Sequence, residues 1–172
     1  MNIFYLDNDP AKAASYFYDK HKVKMILESA QMLCTAHHHY GNGDNVPYKK
    51  AHYNHPSTIW CRQNASQYMW LYDHMIALGE EYTKRYKKTH LTIIKCKEVL
   101  KQLPPTIPDS TFTEPPQCMP EHNKVPDCSV TAYWNYYEQD KYTVANKNEE
   151  LKFRPDEIIY AIRNGSSDYI PC

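Results

Sequence analysis

Residues 19–40, DKHKVKMILESAQMLCTAHHHY, decide the fold. Val23, Ile26, Leu27, Ala30, Leu33 and Cys34 recur at steps of three and four. That spacing predicts one long helix with an apolar stripe turned to a core. His21, Lys24, Glu28, Gln31, Thr35 and His38 recur at the same steps and form a second, polar stripe beside the first. A solvated helix face ordinarily alternates Lys and Glu. This one holds a single carboxylate, Glu28, between a lysine and an amide, with a histidine at each end. The polar stripe is therefore expected to line one wall of a site.

Outward from this helix the signals are also helical. Asp9 can cap and Pro10 suits a first helical turn, which predicts a short helix over 11–18. Residues 2–6, NIFYL, form an apolar extended run before it. Asp19 is the expected cap of the central helix, and Gly41-Asn42-Gly43-Asp44 its end. A loop over 44–56 leads to a short helix opened by Pro56-Ser57-Thr58 and carrying Ile59, Trp60 and Arg62. Asn64 caps a second long helix, 65–86, with Tyr68, Leu71, Tyr72, Met75, Leu78 and Tyr82 inward. Thr89 caps a third, 90–103, with Leu91, Ile94 and Leu100 inward.

Residues 104–127 contain seven prolines, too many for a helix or a central strand. They read as an ordered strap, anchored by Ile107, Phe112 and Met119. Asp127 caps a further helix bearing Val130, Tyr133, Trp134 and Tyr137. A polar tail, 140–172, follows, with a short helical signal over 155–163. The expectation is a single all-α domain over residues 1–172.

Composition narrows the function classes. A chain of 172 residues can bury a real core, and its 16 tyrosines supply much of the apolar fraction. Four glycines and few alternating Val and Ile runs argue against a β-sandwich. Lys+Arg 20 balances Asp+Glu 20, which counts against a protein whose main task is gripping long DNA. The six cysteines form no CxxC pair, and MNIFYLDND lacks the marks of a signal peptide. Free thiols in a reducing cytoplasm are expected. No run is long enough to span a membrane.

Each chemical candidate has a plainer reading. Glu28 can pair with Lys24 four residues earlier, yet a carboxylate beside histidines and an amide also suits acid–base work or oxocarbenium stabilisation. Cys34, His37, His38, His39, His52 and His55 include metal ligand types, but no second clean pair exists, and histidines at a helix C-terminus answer to its dipole. No metal and no other cofactor is expected. The aromatic stripes read as core, with Trp60 alone allowed a binding role. No Gly-rich phosphate loop is present.

The residues then suggest a family. His21, six intervening residues and Glu28 resemble the His and catalytic Glu of the small phage pyrimidine-dimer DNA glycosylases, the endonuclease V type. The helix start at His55-Pro56-Ser57-Thr58, the run Tyr68-Met69-Trp70-Leu71-Tyr72-Asp73-His74 and the segment Tyr133-Trp134-Asn135-Tyr136-Tyr137 are similar too. The likeness covers roughly residues 1–140. It implies an all-α fold in which the N-terminal α-amine attacks C1′ of a nucleotide, the Glu stabilises the sugar cation, and an imine leads to strand cleavage. Carried over, Glu28 is that Glu and His21 its companion.

Two departures bear on the substrate. Asn2 is bulky, which predicts that Met1 is retained and that the amine sits in a different register. Leu27 and Gln31 stand where the resemblance puts arginines. The expected substrate is therefore a free nucleotide, of the cyclic ADP-ribose signalling type, destroyed by a phage to blunt host defence in the cytoplasm of the infected cell. The alternatives are duplex DNA with damaged or modified pyrimidines, and a non-catalytic nucleotide sponge. The residues expected to contact substrate are Asn2, Lys24, Gln31, Thr35, His55, Ser57, Trp60 and Arg62. A homo-oligomer is allowed and no membrane partner is expected.

Overall fold

A computed structural model describes residues 1–159, and the end of the helical signal predicted over 155–163 lies outside them. The order is α1 (Pro10–Ser15), α2 (Asp19–His39), α3 (Pro56–Cys61), α4 (Ala65–Tyr86), α5 (Leu91–Leu100) and α6 (Ser129–Asp140), with three short 3-10 turns between and after them. The described residues contain no strand. The fold is all-α, as the 3.6-residue periodicity predicts.

Local capping chemistry sets several boundaries. Asp9 accepts from the backbone N–H groups of Ala11 and Lys12 at 2.8 and 2.9 Å, with Pro10 in the first turn. Asn64 accepts from Gln67 N at 3.0 Å and starts α4 where predicted. Elsewhere the caps differ. The residue before α2 is Tyr18, without a side-chain cap, and Asp19 lies in the first turn. There its carboxylate takes Arg85 Nε at 2.7 Å instead. His90 rather than Thr89 caps α5, through its ring nitrogen. Cys128 rather than Asp127 precedes α6, and Asp127 has φ 55°.

α2 and α4 form the centre and run antiparallel. Lys22 Nζ meets Glu81 Oε2 at 3.0 Å near one end, and His37 Nε2 meets the Tyr68 hydroxyl at 3.0 Å near the other. The buried face of α2 includes His21, Lys22, Met25, Ile26, Ser29, Ala30, Leu33 and His37. This corrects the predicted stripe: Val23 and Leu27 are exposed, at 36% and 38%. The helix is turned so that polar residues with distant partners face inward. α5 is corrected likewise, since Leu91 and Ile94 face solvent and Cys96 and Leu100 are buried. α5 packs on α4 at Gly79, where a Cβ would come within 2.6 Å of Ile93 Cγ1.

The N-terminal segment threads through this core. Ile3, Phe4, Tyr5 and Leu6 are all buried. Trp134 Nε1 donates to the Leu6 carbonyl and Trp70 Nε1 to the Asn8 carbonyl, each at 2.7 Å. The proline-rich strap closes over α3, α4 and α6. The Thr113 carbonyl accepts from Trp60 Nε1 at 2.8 Å, the Pro116 carbonyl from the Tyr133 hydroxyl at 2.8 Å, and the Pro115 carbonyl from Ser129 Oγ at 2.7 Å. Ile107, Phe112 and Met119 pack on the core as its anchors. Cys34, Cys61, Cys96 and Cys118 are free thiols. Cys128 is disulfide-bonded, against the expectation of free thiols throughout.

Candidate active site

Glu28 sits midway along α2 at the edge of the buried face, its side chain 14% exposed. Oε1 receives Lys24 Nζ at 3.1 Å, the pairing that a spacing of four allows. Oε2 faces a group from outside the helix, the α-amine of Met1, at 3.6 Å. The amine comes from a chain end far from α2 in any local sense. It arrives there because Trp134 and Trp70 hold the following backbone and Asn2 holds the start. Asn2 Nδ2 donates to the Cys118 carbonyl of the strap at 2.9 Å, while Oδ1 accepts from Ile3 N at 2.8 Å. Phe4 bends the segment with φ 53°, in the left-handed region that a bulky residue rarely adopts.

His55 completes the group. Burial lowers its affinity for a proton first, the Met1 amine and His52 lower it further, and Glu28 alone acts to raise it. Its ring Nδ1 caps α3 by accepting from Ser57 N at 3.2 Å. An amine and a carboxylate thus meet from two parts of the chain, and the electrostatic influence of both reaches the His55 imidazole. That set can present a nucleophilic nitrogen, take its proton and stabilise a cation at the atom attacked.

Several predicted site residues lie elsewhere. His21 is buried with its ring stacked on Phe4, centroids 4.5 Å apart, so it supports the N-terminal segment rather than facing the carboxylate. The Thr35 hydroxyl is consumed by backbone, donating to the Gln31 and Ala51 carbonyls and accepting from Ala51 N. Ser57 is buried with Oγ 3.4 Å from Cys118 Sγ. Trp60 is 3% exposed and edge-on to Trp70 and Phe112, with part of its surface lining a cavity beside Pro56, Gln63 and Thr113. Arg62 lies over the Tyr53 ring, not beside Glu28. Asn2 acts on the chain start rather than toward open solvent. Gln31, half-buried one turn beyond Glu28, and Lys24 remain where a ligand can touch them.

The group that only the family resemblance suggested is the Met1 amine, 3.6 Å from Glu28 Oε2. No local signal announces it. The tryptophans that place it are about 70 and 130 positions away.

The fold is all-helical, and it brings an amine and a glutamate together at one place. The sequence model of the pyrimidine dimer DNA glycosylase family matches residues 1–94, more than half of the chain, and the chain belongs to that family. No curated protein and no solved structure matches the chain. The matched residues end within α5, so the strap and α6 lie beyond them. The balance of charge divides at the same place. Residues 1–94 hold 11 Lys and Arg against eight Asp and Glu, and residues 95–172 hold nine against 12.

Proposed function

We propose that the protein cleaves the N-glycosidic bond of a pyrimidine nucleotide in DNA, with the Met1 amine as nucleophile and Glu28 as its partner. The observation that carries this reading is the 3.6 Å approach of the amine to Glu28 Oε2. Glu28 takes a proton from the ammonium, which frees the nitrogen lone pair. Nitrogen bonds to C1′ as the bond to the base breaks, and the electrons of that bond leave with the base. Glu28 then passes that proton to O4′ as the C1′–O4′ bond opens, and the carboxylate so restored offsets the positive charge of the iminium at C1′. Opening of the sugar then gives an imine, and loss of a C2′ proton expels the 3′ phosphate. His55, whose pKa is lowered by burial, by the Met1 amine and by His52, is the residue we assign to accept that second proton.

A second reading has its own observation. Leu27 is 38% exposed beside Glu28, on a face where arginines would hold a duplex. That favours a smaller ligand, a free signalling nucleotide whose destruction would counter a host defence in the cytoplasm. A protein that only sequesters such a nucleotide is the inactive form of the same reading.

Borohydride trapping separates them. The protein is incubated with ultraviolet-irradiated duplex DNA and with a panel of nucleotides that includes cyclic ADP-ribose isomers. The first reading expects a reduced protein–DNA adduct on Met1, lost in Glu28→Gln. A released base from a free nucleotide, with no adduct on DNA, would establish the second. Intact nucleotide recovered after heating the protein would show sequestration and end both enzymatic readings.

A further inference from the structure

The loop over 46–55 lies antiparallel along α2. His38 Nε2 meets the Tyr48 carbonyl at 3.0 Å, Thr35 Oγ1 accepts from Ala51 N at 3.0 Å, and His55 ends the loop in the field of Glu28. Outward from that end the loop gathers cations. Arg62 Cζ stands 4.0 Å from the centroid of Tyr53, and Lys50 Nζ stands 5.0 Å from it. The Tyr53 hydroxyl is fixed by His39 Nδ1 at 2.6 Å. Arg62 Nη1 donates to the Tyr53 carbonyl at 2.6 Å. Lys49 and His52 are exposed beside them.

Arg62 is the informative member, because it is only 8% exposed. A guanidinium removed from water needs a counter-charge, and its loss is costly. Among the described residues Arg62 forms no ion pair with a carboxylate, and neither does Lys49 or Lys50. By contrast the other two arginines among the described residues, Arg85 and Arg154, are each paired with a carboxylate. One guanidinium nitrogen is spent on Tyr53, and the rest of a five-donor fork is left for an anion. The Tyr53 ring already carries both cations, so it organises charge rather than stacking on a base.

We infer that Lys49, Lys50 and Arg62 form a phosphate-binding stripe for a nucleic-acid strand that enters the Glu28 site. The inference rests on the DNA-acting reading above and gives it the cationic grip that Leu27 and Gln31 do not supply. Eleven residues of α2 separate Glu28 from His39, a rise of about 16 Å. Adjacent phosphates of one strand follow at a few ångströms each, so a strand reaches both places and a mononucleotide does not. The position of the stripe in the half of the chain with surplus positive charge agrees with this partner.

The test is a salt titration of binding, read by fluorescence anisotropy on Glu28→Gln protein so that no cleavage intervenes. The probes are a labelled 12-nucleotide strand, the same strand in duplex, and thymidine monophosphate as competitor. Replacing Lys49 and Lys50 by Gln should remove two phosphate contacts. The slope of log K against log salt should then shrink by about 0.7–0.9 per contact. Between 50 and 200 mM salt the parent should lose about tenfold more affinity than the double variant. Lys50→Glu, on an exposed side chain, should weaken the strand further while far-ultraviolet circular dichroism is unchanged. An unchanged slope in the folded variants, or a strand bound no better than the mononucleotide, would overturn the stripe. A normal slope without base release on any substrate leaves the stripe standing and removes the glycosidase reading instead.

Discussion

The His21 imidazole lies against the Phe4 ring, with 22° between the planes. Phe17, Tyr18 and Tyr137 surround the same imidazole. Helix α2 thereby presents one residue, Glu28, to the amine and another, two turns earlier, to the backbone that carries the amine. Both were legible as one spacing in the sequence, but their surroundings divide: one faces the Met1 amine and the other packs against the segment that carries it.

This burial predicts acid sensitivity. Burial, with Lys141 and Lys24 nearby, lowers the His21 pKa to about 4, and burial lowers that of His74 to about 4. In the unfolded chain each titrates at its ordinary 6.5. Between pH 6.5 and about 4 the unfolded state binds protons that the folded state refuses, so stability falls as pH falls through that window. The loss approaches about 3 kcal/mol per histidine at the acid end, an upper bound. Urea midpoints at pH 7.0, 5.5 and 4.5 check it. His21→Leu should flatten the dependence, and a midpoint that stays level in the parent would contradict the buried neutral state.

The Asn2 carboxamide is expected to act as a positioning group for the amine. Asn2→Leu keeps a bulky residue behind Met1, so Met1 stays in place, but it loses both the Cys118 and the Ile3 hydrogen bonds. Asn2→Asp keeps an acceptor for Ile3 N and loses only the donor to the strap. Displacement of a reacting group by about 1 Å can cost about 10²-fold in rate. Borohydride trapping should fall by that order in Asn2→Leu and less in Asn2→Asp, with KM little changed and Met1 confirmed by intact mass. Equal trapping in all three proteins would show that the strap does not place the amine.

Trp134 is expected to govern the same placement through the fold. Trp134→Phe retains a ring in the core and leaves the buried Leu6 carbonyl without its donor. An orphaned buried acceptor costs about 1–3 kcal/mol. Chemical denaturation should show a loss of that size with an unchanged m-value. A neutral effect would mean that another donor reaches Leu6.

How far the sequence discloses this molecule follows from the range of each interaction. The start of α4 at Ala65 and that of α1 at Pro10 depend on Asn64 and Asp9, which bond to N–H groups two or three residues away. Such contacts are written in adjacent letters. The rotation of α2 depends on Lys22 meeting Glu81 and His37 meeting Tyr68, so Val23 and Leu27 look like core when read alone. Leu91 and Ile94 mislead for the same reason. Glu28 was legible because its helix supplies its own register. The amine that faces it entered only through the family resemblance, because placing it from the residues requires Trp134, Trp70 and the Cys118 carbonyl, all remote in sequence.

The electrostatic coupling of His55 gives the last prediction, and it is independent of any substrate. Three influences, burial, the Met1 amine and His52, depress the His55 pKa, and Glu28 opposes them. Glu28→Gln removes the one raising influence and leaves the amine unbalanced beside the ring. The apparent His55 pKa should therefore fall further in the variant. Conversely, acetylation of the Met1 amine removes a lowering influence and should raise it in the parent. Two-dimensional NMR of the imidazole carbons across pH 4–8 follows both changes in the same residue. Opposite displacements would locate the amine, the carboxylate and the imidazole in one electrostatic unit. A His55 that titrates identically in parent, Glu28→Gln and acetylated protein would mean that the three groups are too far apart in solution to exchange a proton during the reaction.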